Sequence, residues 1–356
     1  MDPYFPIILT QNILLCLGIS YYIHRSCILK KYERTGFYLT LYFGLLITVG
    51  EFISTLIIGK PHLIGLQYLV NCMIIGLTPM VPAVPVLVLG KVRWAKVVVM
   101  IPILLNLLLL LTGHLFTISS DGGYSRDPLF WVFMMNYVFN MLFLTYRSFV
   151  FSAIHQNHNA VSLIFICLFM ISSTSIQLRL PQIHFSWFCV TVTTLLYFIY
   201  YVDTIHKMDS LTGLLNRNAF REYTVRCRRR IAGIMVIDMD DFKKINDTYG
   251  HLTGDKYLIV FGKCLRSAMK NWGFCYRLGG DEFCILLLKS AAAPAPEALA
   301  RILREKCREQ MQLPEILSFS YGYQALEEAM SIEEAFNLSD RDMYAAKSRR
   351  KEKASI

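Results

Sequence analysis

Long apolar windows separated by short polar segments fill the first 200 residues. A helix that crosses a bilayer needs about 20 mostly apolar residues, and seven windows reach that length. They predict a seven-span transmembrane α-helical domain over residues 1–202. Prolines within the third and fourth windows predict kinks, because each proline removes a helix hydrogen-bond donor. The windows are Phe5–Ile23, Phe37–Ile58, Leu63–Leu89, Val97–Phe116, Leu129–Phe151, Ala160–Leu178 and Phe185–Tyr201.

The pattern changes after residue 202. No Gly or Pro interrupts Val202–Ser210, so residues 203–209 are predicted to be a short helical linker. Short apolar runs then alternate with amphipathic segments across residues 210–356, which predicts a cytoplasmic α/β domain around a central sheet. The predicted strands are Ile234–Asp238, Phe274–Leu278, Phe283–Leu288 and Leu317–Gly322, and the predicted helices are Lys256–Met269, Glu297–Gln312 and Ile332–Lys347.

Charge is distributed unevenly between these two parts. Residues 1–202 hold 11 of the 36 Lys and Arg residues and 5 of the 26 Asp and Glu residues. This imbalance excludes a single soluble domain, a disordered chain and a disulfide scaffold. The ten cysteines include no CxxC pair, which gives no indication of a metal cluster. Because membrane topology explains much of the net charge of +10, no nucleic-acid partner is expected.

Positive charge in short loops marks the cytoplasmic side of a membrane protein. The odd-numbered loops carry eight Lys or Arg residues and the even-numbered loops carry three. This difference predicts an outside N-terminus and, with seven spans, a cytoplasmic second half. If one window failed to span, the second half would face outward. The eight are Arg25, Lys30, Lys31, Arg34, Lys91, Arg93, Lys96 and Arg147, and the three are Lys60, Arg126 and Arg179.

Two features of the apolar part are open to alternative interpretations. Glu51 lies inside the second window, where a carboxylate is costly unless it faces a polar interior. It is either a ligand or coupling site, or a structural glutamate that is protonated or hydrogen-bonded. The polar loop over residues 117–128, TISSDGGYSRDP, is either a cap over a ligand cavity or a solvated connector.

Acidic residues are grouped where predicted strands end. Asp238 ends one strand, and Asp281 and Glu282 follow Gly279-Gly280 at the tip of a predicted hairpin. If the two elements are adjacent, the three carboxylates converge, since neighbouring strands lie about 4.8 Å apart. Such a cluster calls for a cation, and Mg²⁺ is bound in proteins by one or two carboxylates plus substrate phosphates. An acidic surface turn without a ligand is the alternative.

The residues around these acids extend the pattern. Residues 209–217 follow DxLTGLxNR, residues 238–255 follow DxDxFKxxNDxxGHxxGD, and residues 277–283 read RLGGDEF. The chain over about 203–351 resembles the GGDEF family of diguanylate cyclases. The resemblance implies a fold similar to nucleotidyl cyclases and polymerase palm domains. It also implies that two such domains, as a homodimer, each hold one GTP and join both into cyclic di-GMP with release of two pyrophosphates.

The resemblance assigns roles position by position. Asp238, Asp281 and the Met239 carbonyl match the ligands of Mg²⁺, with Mn²⁺ as an alternative. Glu282 matches the residue that acts as base or as a further metal ligand, so Asp238, Asp281 and Glu282 are the catalytic candidates. The expected GTP-binding residues are Asn246 and Asp255 for the guanine edge, the backbone of Phe242 and Lys243 for phosphate, and Lys347 and Lys351 for the triphosphate.

This sequence departs from the family pattern at two places. The inhibitory RxxD positions hold Lys270 and Gly273, so tight product inhibition is not expected. At the end of the domain, Arg350 and Lys351 replace a Gly-Arg pair, and lysine makes a weaker, non-bidentate phosphate contact than arginine. These departures keep open an alternative: a receptor whose GGDEF domain binds GTP with little turnover.

The apolar part has a looser resemblance. A glutamate late in the second window (VGEFISTL) and an aromatic entry to the fifth (RDPLFWVF) are similar to the seven-span sensor region of some bacterial histidine kinases and cyclic-dinucleotide enzymes. The resemblance implies a receptor for an unidentified ligand in the bacterial cell membrane. The basic run Arg226, Arg228, Arg229 and Arg230 either touches anionic lipid or is a solvated surface.

Overall fold

The structure is a computed structural model that describes residues 4–89, 93–154, 160–179, 185–291, 293–310 and 318–354. The chain forms two compact units, Met1–His206 and Lys207–Ile356. The first unit is built almost entirely from helices. They are α1 (Phe5–Arg25), α2 (Lys31–Ile57), α3 (Ile64–Leu77), α4 (Met80–Val88), α5 (Arg93–Thr112), α6 (Phe130–Ile154), α7 (Ala160–Arg179) and α8 (Ser186–His206).

Each of the seven apolar windows overlaps a helical segment of the first unit. Among the described residues, five of these segments are long and apolar enough to cross a membrane by length and composition. A further apolar helix, Val161–Ser173, is shorter. The seven-span count and the orientation therefore stay predictions. The five are Phe5–Arg25, Lys31–Ile57, Pro61–Val88, Arg93–Thr112 and Ser186–His206.

Proline and glycine residues interrupt these helices near the predicted places. The third window divides at Thr78 and Pro79 into α3 and α4, because a proline inside a helix removes a donor and crowds the preceding turn. By contrast, α5 continues past Pro102. The fourth window was predicted to reach Phe116, but α5 ends at Thr112, and Gly113 follows with a φ of 71°. A glycine in this conformation commonly ends a helix.

The polar loop after α5 is a hairpin. Strands β1 (Phe116–Ile118) and β2 (Tyr124–Arg126) pair antiparallel, with Phe116 opposite Arg126. Phe116 is buried and packs with the start of α6 in an apolar cluster. The loop is therefore held against the helices, although one face of it is exposed.

The second unit is a five-stranded sheet with strand order β3-β5-β6-β4-β7. The pair β3–β5 is parallel, and the other neighbours are antiparallel. The strands are β3 (Leu215–Asn216), β4 (Ile231–Met239), β5 (Gly273–Gly279), β6 (Glu282–Leu288) and β7 (Phe319–Ala325). The helices are α9 (Arg217–Cys227), α10 (Phe242–Tyr249), α11 (His251–Met269), α12 (Pro296–Gln310) and α13 (Ile332–Ala354).

Strand β4, which lies between β6 and β7, is buried on both faces of the sheet. Met235 and Ile237 belong to the apolar cluster that contains α11 and α12. Ile234 and Val236 belong to the cluster that contains residues of α9 and α13. Alternate residues of a strand point to opposite faces, so β4 reads as one continuous apolar run. The predicted α/β class is confirmed for this unit.

The boundary between the two parts differs from the predicted linker. Helix α8 ends at His206, so residues 207–209 are not helical. The Lys207 carbonyl accepts a hydrogen bond from Asn216 N at 2.8 Å, and Met208 forms a β-bridge with Leu215. These contacts tie Lys207 and Met208 to the edge of the sheet. Part of the predicted strand Leu317–Gly322 lies outside the described residues, and β7 begins at Phe319.

Candidate functional site

Two of the predicted acids lie side by side at one end of the sheet. Strands β4 and β6 are neighbours, and their register places Asp238 opposite Glu282. Asp281 lies in the turn between β5 and β6, and its carbonyl accepts a hydrogen bond from Met239 N at 3.3 Å. Gly280 in that turn has a φ of 41°, a conformation that glycine adopts without strain. The predicted hairpin, and its position next to Asp238, are confirmed.

The charges of these acids act on one another. Burial raises the pKa of Asp238, and the negative charge of Asp281 raises it further. Partial burial likewise raises the pKa of Glu282, together with the charges of Asp238, Asp340 and Asp281. Carboxylates that raise one another's pKa are stabilised by a bound cation. Asp340, on α13, had no role assigned from the sequence.

Helix α13 brings two cations to this end of the sheet. Lys347 Nζ forms an ion pair with Asp238 Oδ1, and Arg350 forms one with Asp240. Asp240 also accepts a hydrogen bond from Ser320 Oγ at 2.7 Å. The structure therefore places Lys347 beside the acids, and it places Arg350, which was noted only as a departure, in the same network. Lys351 is exposed.

The segment after β4 carries the residues expected to bind the nucleotide. Asp241 adopts a left-handed conformation with a φ of 55°, and α10 begins at the next residue, Phe242. The first-turn N–H groups of Phe242 and Lys243 have no partner within the helix, and such groups are suited to bind phosphate. The expected phosphate role therefore agrees with where the backbone puts these two residues.

Helices α10 and α11 approach closely at Gly254. A methyl group at Gly254 would collide with Asn246 Oδ1, and it would lie 3.2 Å from the Phe242 ring. Asp255, the next residue, lies in the first part of α11, and the side chains of Asn246 and Asp255 are both half-buried. The glycine thus allows the Asn246 amide to lie against α11, near the helix that carries Asp255.

An arginine connects the hairpin tip to the start of the second unit. Arg277 Nε and Nη2 donate to the Gly280 carbonyl at 3.0 and 2.8 Å, and Arg277 Nη1 donates to Asp209 Oδ1 at 3.0 Å. Although burial opposes the shift, hydrogen bonds from Thr212 and Arg277 lower the pKa of Asp209. The sequence motifs contain Asp209 and Arg277, but the contact between them was not predicted from their spacing.

The basic run at the end of α9 and just after it is mostly exposed, as expected for a solvated surface, although two of its arginines also make contacts within the unit. Arg226 forms an ion pair with Glu222 at 2.8 Å. Arg228 donates to the carbonyls of Glu328 at 2.8 Å and of Met330. Arg226 and Arg228 therefore have polar partners within the second unit. The alternative of a lipid contact stays a prediction.

The donor set suits a divalent cation that is bound jointly with substrate. Within the described ranges, no three His, Cys, Asp or Glu side chains are arranged to ligate a metal. Mg²⁺ needs only one or two protein carboxylates when phosphates supply the other oxygens. Asp238 and Glu282 are adjacent and have raised pKa values, and Lys347 provides positive charge at Asp238. These residues fit the predicted metal.

Comparison with known proteins gives a match to the second unit. The family model "Diguanylate cyclase, GGDEF domain" matches residues 206–353, and the second unit is a GGDEF domain. Cyclases of this family generally use divalent metal ions.

Two curated relatives from Escherichia coli K12 match the same part of the chain. A probable diguanylate cyclase, DgcJ, is 32% identical over 145 residues, which cover 39% of the length of this chain and 29% of the length of DgcJ. The diguanylate cyclase DgcN is 35% identical over 154 residues, which cover 41% of the length of this chain and 38% of the length of DgcN. The chain thus matches about a third of the length of these relatives. Among solved structures, the GGDEF domain of DgcB from Caulobacter crescentus, in complex with c-di-GMP, is 26% identical with a TM-score of 0.35, covering 40% of this chain and 90% of that one.

Proposed function

We propose that the protein is a membrane-bound diguanylate cyclase, which condenses two GTP into cyclic di-GMP and two pyrophosphates under the control of its first unit. The adjacent carboxylates of Asp238 and Glu282, in a GGDEF domain, carry the proposal. The relatives named diguanylate cyclases support the same activity. The helices that are long and apolar enough to span support a membrane location.

The proposed reaction is a pair of in-line displacements. The 3′-hydroxyl oxygen of each GTP attacks the α-phosphorus of the other, the bond from that phosphorus to the bridging oxygen breaks, and pyrophosphate leaves. Catalysis of this kind depends on positioning and on charge stabilisation. One domain holds one GTP, so two domains must face each other, and a monomer is inactive.

Each residue of the site has a proposed task in this reaction. Glu282 accepts the proton of the attacking hydroxyl, and its raised pKa makes it a stronger base than an ordinary glutamate. A divalent ion held by Asp238, Asp281 and the Met239 carbonyl would, when bound, neutralise the triphosphate and polarise the α-phosphate. Lys347 forms an ion pair with Asp238. When GTP binds, its ammonium group leaves Asp238 and pairs with the triphosphate.

Recognition of the base and the phosphates follows the same positions. Asp255 and Asn246 bind the guanine edge, since a carboxylate accepts from the guanine N1 and N2 donors that adenine lacks. The first-turn backbone of Phe242 and Lys243 binds phosphate, and Lys351 adds positive charge at the end of α13. This set selects GTP over ATP.

Control by the first unit follows from the short connection between the two parts. Helix α8 ends at His206, and Lys207 is already hydrogen-bonded within the second unit. No residues remain for an intervening domain. We therefore propose that rearrangement of the first unit changes the pairing of two GGDEF domains directly.

A second candidate function rests on the ion pairs at the site. Lys347 forms an ion pair with Asp238, and Arg350 forms one with Asp240. In addition, Lys351 replaces an arginine of the family pattern. A domain held in this state would bind GTP with little turnover and act as a signalling module.

The deciding experiment is GTP turnover by the full-length protein in lipid, with Mg²⁺. The cyclase proposal expects cyclic di-GMP and two pyrophosphates, and loss of both in Asp281→Ala and Glu282→Ala. Glu305→Ala, an acid exposed on α12, is the matched control and keeps activity. Tight GTP binding without pyrophosphate release by a dimeric wild-type protein would replace the cyclase proposal with the second one.

A further inference from the structure

The first unit contains a cavity that the proposed cyclase chemistry does not use. It measures about 620 Å³, within the usual range for small-molecule sites. Residues of α2, α3, α6, α7, α8 and strand β2 line it. It is therefore bounded by sequence-distant segments and closed on one side by the hairpin β1–β2.

The cavity has two charged lining residues, Glu51 and Arg126. Glu51 Oε1 accepts a hydrogen bond from Trp187 Nε1 at 2.8 Å. A carboxylate offers about four acceptor positions, so this bond leaves capacity for further donors. Arg126 is exposed, and its guanidinium carbon lies 4.6 Å from the centre of the Phe130 ring. The negative group thus lies among helices, and the positive group is on the hairpin.

The uncharged polar groups of the wall differ in how far they are satisfied. Asn71 Nδ2 donates to the Gln67 carbonyl at 2.8 Å, and Thr78 Oγ1 donates to the Ile74 carbonyl at 2.7 Å. In contrast, Ser186 Oγ is buried and has no hydrogen-bond partner in the described part of the chain. Buried polar atoms are normally hydrogen-bonded, so this hydroxyl is available to a ligand.

Aromatic rings make up much of the remaining wall. Phe130, Phe133, Tyr137 and Trp187 come from α6 and α8, and Tyr124 comes from the hairpin. The faces of such rings attract cations, most strongly when water is excluded. A carboxylate in a wall rich in aromatic rings is suited to an ammonium group. An anion in the same place would be repelled by Glu51.

We propose that this cavity binds a small amphipathic amine. Its ammonium group lies against the acceptor positions of Glu51 that Trp187 leaves open, and its apolar body lies along Phe133 and Tyr137. Ser186 Oγ accepts a further N–H from the ammonium group. The amine is either a free molecule or the headgroup of an amine-bearing lipid. This inference does not depend on the cyclase activity, because binding at the cavity is measurable without GTP.

Direct binding to the full-length protein tests the proposal. The probe is tritiated 2-phenylethylamine, added to protein in nanodiscs of phosphatidylglycerol, which carries no amine. We expect saturable binding, and we expect 2-phenylethanol and phenylacetate to compete at least tenfold more weakly than unlabelled amine. Nanodiscs that contain phosphatidylethanolamine form the second arm. Reduced probe binding there identifies a lipid headgroup as the source, and unchanged binding identifies a free amine.

Variants locate the binding site. Glu51→Gln is nearly isosteric and is expected to weaken amine binding at least tenfold and to abolish the preference over the alcohol. Val190→Trp, which fills the cavity from α8, is expected to block binding even if Glu51→Gln is poorly folded. Asp121→Asn, an exposed acid-to-amide change in the hairpin turn, is the matched control and keeps wild-type affinity. Phenylacetate binding as tightly as the amine, or unchanged affinity in Glu51→Gln, would overturn the proposal.

Discussion

Lys347 on α13 forms an ion pair with Asp238 at the end of β4, across 109 positions of the chain. The pair joins a residue expected to bind phosphate with one expected to bind metal. Burial and the charge of Asp281 raise the pKa of Asp238, and the ammonium group of Lys347 opposes that rise. The contact therefore compensates part of the negative charge of the acids and holds α13 next to them.

Removal of the Lys347 charge is expected to weaken both substrate binding and turnover. Lys347→Met keeps the length of the aliphatic side chain but removes the ammonium group. The contact between an ammonium group and phosphate is a charge-assisted hydrogen bond, which is stronger than a neutral one. We expect kcat/KM for GTP to fall at least tenfold, with KM rising. Lys244→Met, an exposed lysine of α10, is the control. Initial rates of pyrophosphate release measure both, and an unchanged KM in Lys347→Met would contradict the assigned role.

The acid limb of the pH profile is expected to depend on Asp340. The proton acceptor Glu282 must be ionised, and its pKa is raised above the ordinary 4.5, so activity is lost as pH falls through a value above 4.5. The negative charge of Asp340 contributes to that rise. Asp340→Asn removes it, so the midpoint of the acid limb should move to lower pH.

The control for this profile is Asp342→Asn, which changes an exposed acid on the same helix. Initial rates between pH 5 and 9, in buffers of constant ionic strength, give the two midpoints. A midpoint that moves upward, or equally in both variants, would be inconsistent with Glu282 as the base.

Arg277 is expected to support the hairpin tip rather than the substrate. It donates to the Gly280 carbonyl and to Asp209, and both side chains of the ion pair are largely buried. A hydrogen bond to a charged group contributes about 2 kcal/mol, and Arg277→Ala removes the bonds to two partners, so it should lower the free energy of unfolding by at least about 2 kcal/mol. Denaturant unfolding of the full-length protein measures it, and Arg301→Ala, exposed on α12, should have little effect.

Gly254→Ala is expected to disturb the nucleotide-binding segment. The added methyl group would collide with Asn246 Oδ1, so the Asn246 side chain must move away from its position against α11. Because Asn246 is assigned to the guanine edge, KM for GTP should rise. Leu252→Ala changes an exposed side chain at the start of the same helix and serves as the control. Equal KM values in the two variants would argue against Asn246 as a guanine ligand.

Product inhibition is expected to be weak. Lys270 and Gly273 occupy the two positions of the family's inhibitory RxxD site. A side chain at Gly273 would collide with the Leu286 carbonyl, so the local packing leaves no room for the missing aspartate. Progress curves with added cyclic di-GMP should follow the uninhibited rate. Inhibition at low micromolar product would point to a different product site.

The sequence by itself determined features that depend on local patterns. Window lengths predicted the apolar helices, and short continuous apolar runs predicted β4 and the pair β5–β6 as buried strands. The Gly-Gly turn placed Asp281 and Glu282 at a hairpin tip. Two short helices, α9 and α10, were not predicted, since they are polar and only 11 and 8 residues long. The metal and GTP roles of the individual residues stay predictions.

Only the tertiary structure decided which distant groups meet. Lys347 and Asp238, Arg277 and Asp209, and Glu51 and Trp187 are separated by 109, 68 and 136 positions. No local spacing specifies such pairs, because they depend on the strand order and on how each helix packs. Sequence patterns record which face of an element is buried, whereas a contact between two elements depends on the whole set of packed neighbours.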